Sequence, residues 1–160
     1  MNIRSIGRIL SMMLTLLFAS TQLFSMHDGE LTFFDDGFSI KYTALSAPLN
    51  TNNFRLTLLS PDQEELGSIT LYIFLTQKIA SIDHLFIQER HRRNGYATRL
   101  LNYVYPILKN EGFTKVSLSV ELSNQGARAL YSRHGFTPAG NPEDDFDGDC
   151  AMTIGLVKNL

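Results

Sequence analysis

Residues 89–101 read ERHRRNGYATRLL, so Arg90, His91, Arg92 and Arg93 crowd against Asn94-Gly95 just before an apolar helical pattern begins. Residue types in that order suit anion binding. Backbone amides at a helix start point along a dipole that favours negative charge. Gly95 removes the side chain that would hold a phosphate away, and it can take the positive φ from which a nest of N–H groups is built. Ala97 is small enough for close approach in the first turn, while Arg90, Arg92 and Arg93 add charge. The group such a cradle fits is a diphosphate. Neither G-x-x-x-x-G-K-[ST] nor G-x-G-x-x-G occurs, so the nucleotide P-loop and dinucleotide readings fail on spacing.

Other side chains capable of chemistry lie on either side of the cradle. Asp83 and His84 stand on the strand-like run IASIDHLFI, and period-two alternation puts Ser81, Asp83 and Leu85 on one face, with Ala80, Ile82, His84 and Phe86 on the other. Tyr131 shares an amphipathic helix face with Ala127 and Leu130, and Ser123 and Asn124 are placed to cap that helix. The run EDDFDGD holds Glu143, Asp144, Asp145, Asp147 and Asp149, and could draw in a cationic amine. It is not a calcium loop, because the glycine and the closing glutamate are out of place. The single cysteine, Cys150, allows no internal disulfide and no metal cluster, so no metal is expected.

The elements that must position these groups follow from periodicity. FSIKYTAL (38–45), FRLTLL (54–59), SITLYIFLT (68–76) and IASIDHLFI (79–87) read as strands, separated by Pro, Asn and Gly and by a tight turn at Gln77-Lys78. Ala97, Leu100, Leu101, Val104 and Leu108 line one helix face, with Gly112 closing the helix and Pro106 expected to kink it. KVSLSVE puts Val116, Leu118 and Val120 on one side of a further strand, Gly135-Phe136 ends the second helix, and residues 151–157 make a last strand. With 160 residues and 44% hydrophobic content the chain can bury one core, and residues 26–160 read as one domain without repeats. Residues 1–25 read separately. Arg4 and Arg8 precede an apolar run too short to span a bilayer, which suits a signal peptide or anchor; a start at Met26 is the alternative. The net charge of -2 gives no general attraction to nucleic acid, and none is expected as a partner.

Arg92-x-x-Gly95-x-Ala97 after one strand, and Asn124-x-x-Ala127-x-x-Leu130-Tyr131-x-x-x-Gly135-Phe136 after the next, together resemble the GNAT superfamily of N-acetyltransferases. The resemblance covers residues 54–156. It implies an α/β fold with a mixed, mostly antiparallel sheet, flanking helices and a splayed central strand pair. It also implies acetyl coenzyme A as cosubstrate, held by Arg92, Arg93, Asn94, Gly95, Tyr96, Ala97 and Thr98, and a primary amine as acceptor. Leu85, Phe86 and Ile87 match the stretch where the strand bulges and its free backbone pairs with the pantetheine arm, with the Ile87 amide aimed at the thioester oxygen. Asn124 would contact the same arm.

By the same resemblance Tyr131 protonates the departing thiolate, a role open to a phenol of pKa about 10 beside a thiol near 8.5. Asp83 is the base candidate and His84 stands behind it, on the face that alternation assigns to the other side. Family members carry two helices between their first two strands; here only Ser46 to Asn53 separate them. The acceptor half is therefore expected to be trimmed, and a non-catalytic acyl-coenzyme-A-binding module is the rival reading. Location stays open: the coenzyme chemistry favours the cytoplasm, whereas residues 1–25 favour export or anchoring.

Overall fold

The computed structural model describes residues 31–34, 36–45, 52–139 and 153–160. Residues 1–25, the acidic run 143–149, Cys150 and the link 46–51 lie outside the described residues. Strands β1 (Leu31–Phe33), β2 (Ser39–Leu45), β3 (Asn52–Leu59), β4 (Glu65–Phe74) and β5 (Ile79–Ile87) come first. They are followed by helix α1 (Tyr96–Asn110), β6 (Lys115–Glu121), helix α2 (Gln125–Arg133), β7 (Thr137–Pro138) and β8 (Thr153–Asn159). One sheet of eight strands runs in the order β1-β2-β3-β4-β5-β6-β8-β7. Only β5 and β6 pair in parallel, because α1 crosses over between them.

The expected strands and helices are present, with shifted ends. β4 starts three residues before Ser68 because the polar connection closes early: Gln63 takes a positive φ, and the Ser60 amide donates to the Glu64 carbonyl at 2.8 Å. The turn expected at Gln77-Lys78 is there, with Lys78 at φ 55. β1 is an edge strand paired only with β2. α1 continues through Pro106 and ends as expected at Gly112, whose amide donates to Lys109 while that of Phe113 donates to Leu108.

One face of the sheet is apolar. Leu56, Ile69, Leu71, Ala80, Ile82 and Leu118 are buried there, and α1 covers them with Leu100, Leu101, Val104 and Leu108. This is the helix face that the 3.6-residue spacing marks out. The β1–β2 hairpin is tied to the same helix. Arg99 forms a two-pronged ion pair with Asp36, both contacts at 2.7 Å, and its guanidinium lies 4.6 and 4.5 Å from the Phe34 and Phe38 ring centres. The flat guanidinium stacks on both rings, which a lysine could not do.

The pairing of β5 departs from simple alternation. Thr70 faces His84 and Leu71 faces Ile82, so Asp83 is the extra residue of a β-bulge. One inserted residue reverses every later side chain. Leu85 and Ile87 join the core face, whereas His84 and Phe86 turn to the opposite face, which carries Ser81 and Thr70. The expected facing is thus corrected from Asp83 onward: His84 shares the face of Ser81, and Leu85 does not. Parallel pairing with β6 also stops at Ile82, opposite Leu118, so the strands part at Asp83 rather than at Leu85.

Gly67 allows β5 to lie where it does. A Cβ built at this buried position would stand 2.4 Å from the Phe86 carbonyl oxygen and 2.6 Å from Ile87 Cδ1. Gly67→Ala should force residues 86–87 outward and cost about 1–3 kcal/mol, the usual scale of overpacking. Urea denaturation of the variant against the wild type measures it, and an unchanged midpoint would show that β5 has room to spare.

Candidate active site

The cradle forms where β5 hands over to α1. A short turn of 3-10 helix, Glu89–His91, leads into Arg93 at φ 67 and Gly95 at φ 79, and α1 begins at once. The amides of Arg93 to Thr98 donate to no described residue. Successive free N–H groups at a helix start make the concave donor set that binds anions. A Cβ on Gly95 would meet nothing within 4 Å, so its open side is space that a ligand can fill. Arg92, Arg93, Asn94 and Gly95 are exposed, whereas Tyr96, Ala97 and Thr98 are half-buried.

The cations do not all serve this cradle. The Glu64 carboxylate pairs with Arg90, and its second partner is the His91 ring at 3.2 Å. The His91 hydrogen bond first, and the Arg90 charge after it, hold the Glu64 carboxyl below the usual carboxylate range. Arg90 is therefore neutralised rather than added to the cradle. Arg92 donates from Nε to the Ile87 carbonyl at 3.2 Å, and Asn94 donates from Nδ2 to the His91 carbonyl at 3.2 Å. Tyr96 packs against Phe38, with ring centres 5.9 Å apart, so only its backbone faces the cradle.

Beside the cradle, β5 presents an unpaired edge. The Gln88 amide donates to Leu66 of β4 at 3.0 Å. Amides alternate along a strand, so that of Ile87 points the other way, into the gap left where β6 diverges. A thiol ester arm laid in this gap would meet strand-like donors and acceptors, as a peptide added to a sheet edge does. The side chains of Leu85 and Ile87 pack on the core, so their contribution there is backbone alone.

Tyr131 approaches from α2. Asn124 caps this helix, its Oδ1 accepting from the Ala127 amide at 3.0 Å. At the other end Gly135 takes φ 81, the Phe136 amide donates to the Tyr131 carbonyl at 3.0 Å and that of Gly135 to Ser132 at 3.0 Å. This double closure brings the Phe136 ring against Tyr131, centres 5.5 Å apart, and fixes the phenol. Burial leaves Tyr131 7% exposed and pushes its pKa up to about 12. Tyr105 of α1 leans on the same Phe136 ring, and its buried hydroxyl has no hydrogen-bond partner. His134 reaches back to Thr98 with Nε2 and Oγ1 3.4 Å apart; burial, then Lys158 and Arg133, lowers its pKa.

The strand edge leads into the cradle where β5 hands over to α1, and the end of α2 meets the first turn of α1 through His134 and Thr98. Asp83 and His84 are both exposed at the bulge, next to the gap. Among the described residues no group of three or more His, Cys, Asp or Glu could hold a metal ion, and no helix is long and apolar enough to cross a membrane. Three contributors escaped the sequence reading. Glu64 removes Arg90 from the cradle, Arg99 ties α1 to the hairpin, and Gly67 permits the close approach of β5. Only Gly67 had a legible signal, a glycine inside a strand pattern, which marks a bulge or a close backbone contact.

Residues 23–136 match the acetyltransferase (GNAT) family. Human N-acetyltransferase 8 is 33% identical over 66 residues, which are 41% of this chain and 29% of that protein. The chain thus spans less than a third of this relative's length. Among solved structures, the PaiA N-acetyltransferase of Thermoplasma acidophilum in complex with coenzyme A superposes with a TM-score of 0.57 at 21% identity, covering 68% of this chain and 61% of that one. The ribosomal-protein-S18-alanine N-acetyltransferase of Escherichia coli gives 0.58 at 21% identity, covering 71% and 72%. At these identities the structures establish the fold, and the family match, which covers most of the sequence, establishes kinship: the chain belongs to the GNAT family of acetyltransferases.

Proposed function

We propose that this chain moves an acetyl group from acetyl coenzyme A to a primary amine by direct attack. The observation that carries the reading is the parting of β5 from β6 after Ile82, directly beside the free amides of residues 93–98. Acetyl coenzyme A supplies the activated acyl carbon and a thiol leaving group. The amides of Arg93 to Thr98, with Arg92 and Arg93 near them, bind its diphosphate. The edge of β5 at Leu85, Phe86 and Ile87 orients the arm, and the Ile87 amide donates to the thioester oxygen as charge gathers there.

A nitrogen–carbon bond forms as the carbon–sulfur bond breaks, and two protons must move. The amine proton passes to the bulge. Asp83 and His84 are adjacent and exposed there, and His84, turned to the open face, is the one placed to take it. Tyr131 returns a proton to sulfur. The burial that pushes Tyr131 up to about 12 keeps its proton in place until the thiolate departs. The rival, a binding module without turnover, draws on the short link 46–51 between β2 and β3, which leaves no room for two walling helices.

Two variants test the assignments. Gly95→Val strains a positive φ and fills the open side of the cradle, so coenzyme A affinity should fall at least tenfold, about 1.4 kcal/mol, in a folded protein. Calorimetry showing unchanged affinity would remove the loop from the site. Tyr131→Phe should keep coenzyme affinity but reduce turnover in a thiol-release assay by about 10²-fold, with kcat falling more than KM rises. Because Tyr131 loses its proton only near 12, wild-type activity should rise with pH as the amine deprotonates and show no alkaline fall up to pH 10. An alkaline fall below pH 10 that vanishes in Tyr131→Phe would show a phenol far more acidic than its burial implies. Coenzyme binding with no turnover of any amine by the wild type would favour the binding module.

A further inference from the structure

The face of the sheet opposite α1 carries a pattern that acetyl transfer alone does not explain. Cross-strand partners share a face. The register therefore aligns Arg55 of β3, Thr70 of β4 and His84 of β5 in one row, and Ser68 and Phe86 in the next. No described helix lies over these rows, and Arg55, His84 and Phe86 are all exposed. Phe86, 39% exposed, is the exposed large hydrophobic side chain among the described residues, and the His84 ring stacks on it with centres 6.0 Å apart and planes 19° apart. The bulge at Asp83 is what turns both rings out beside the β5 edge. Arg55 belongs to none of the ion pairs among the described residues.

We propose that the acceptor is an amino acid with a free primary amine, its carboxylate held by Arg55 and its aromatic or long apolar side chain laid on Phe86. This rests on the acetyl-transfer reading and specifies its substrate. An amine poised over the β5 edge has His84 at hand, and Arg55 starts two strands away, about 10 Å at the backbone. The flexible arginine stem spans part of that distance, so the anion it meets lies close to the amine, as in an α-amino acid. A planar guanidinium grips a carboxylate with two parallel hydrogen bonds. A polyamine would carry a second positive charge toward Arg55, and a simple arylalkylamine would leave Arg55 without a partner; both are disfavoured.

The test compares three acceptors, phenylalanine, phenethylamine and spermidine, in a thiol-release assay with acetyl coenzyme A, using the full chain. Wild type should use phenylalanine with at least tenfold higher kcat/KM than phenethylamine. Arg55→Gln, an exposed change, should raise KM for phenylalanine about tenfold with kcat nearly kept, and leave phenethylamine unaltered, so the preference collapses. Preference for phenethylamine or spermidine, or an acid-to-amine ratio that Arg55→Gln does not move, overturns the assignment while leaving acetyl transfer standing. Turnover of none of the three by a protein that binds coenzyme A overturns the assignment and counts against acetyl transfer itself.

Discussion

The structure turns on one local event, the release of β5 from β6 after Ile82 while β5 keeps its hold on β4. Backbone groups on an open strand edge are costly unless water or a ligand satisfies them. Here the open edge leads into the start of α1. A single inserted residue, Asp83, supports the arrangement. It keeps the strand in register with β4 on both sides of the bulge, and it reverses which side chains meet the core. Leu85 and Ile87 then anchor the strand, His84 and Phe86 face the other way, and the backbone edge beyond Ile82 has no partner from β6.

The surrounding devices serve to hold that edge still. Gly67 lets β4 approach closely enough to support residues 86 and 87. Arg99, between two phenylalanine rings and against Asp36, locks the first turns of α1 to the β1–β2 hairpin, so the free amides of the cradle have a fixed direction. The closure of α2 at Gly135 does the same for Tyr131 through the Phe136 ring. Binding free energy is gained most readily where donors are already ordered, because less conformational entropy is then lost on association.

Much of this was legible in residue order. The core face of α1 follows from 3.6-residue spacing, and the two glycine-marked helix boundaries at Gly95 and Gly112 follow from backbone preference. Asn124 was readable as a cap, and it is one. The bulge was not readable as a change of face. Period-two alternation assumes an unbroken strand, and the apolar residues of IASIDHLFI fit either phase, so only pairing with Thr70 and Leu71 reveals where the phase changes. Long-range charge pairing was equally hidden. Glu64 lies in a turn far from Arg90 in sequence, and Asp36 far from Arg99, and composition cannot say which cation remains for the ligand.

We propose that the β5 edge and the cradle form one binding surface for coenzyme A. Amide-resolved hydrogen exchange of the full chain, with and without saturating coenzyme A, tests it most directly. Slowed exchange at Leu85 and Ile87 together with residues 93–98, with α1 beyond Val104 and strands β1 to β3 unchanged, is the predicted result. Protection confined to other parts of the chain, or unchanged exchange at both segments despite measurable binding heat, would contradict it.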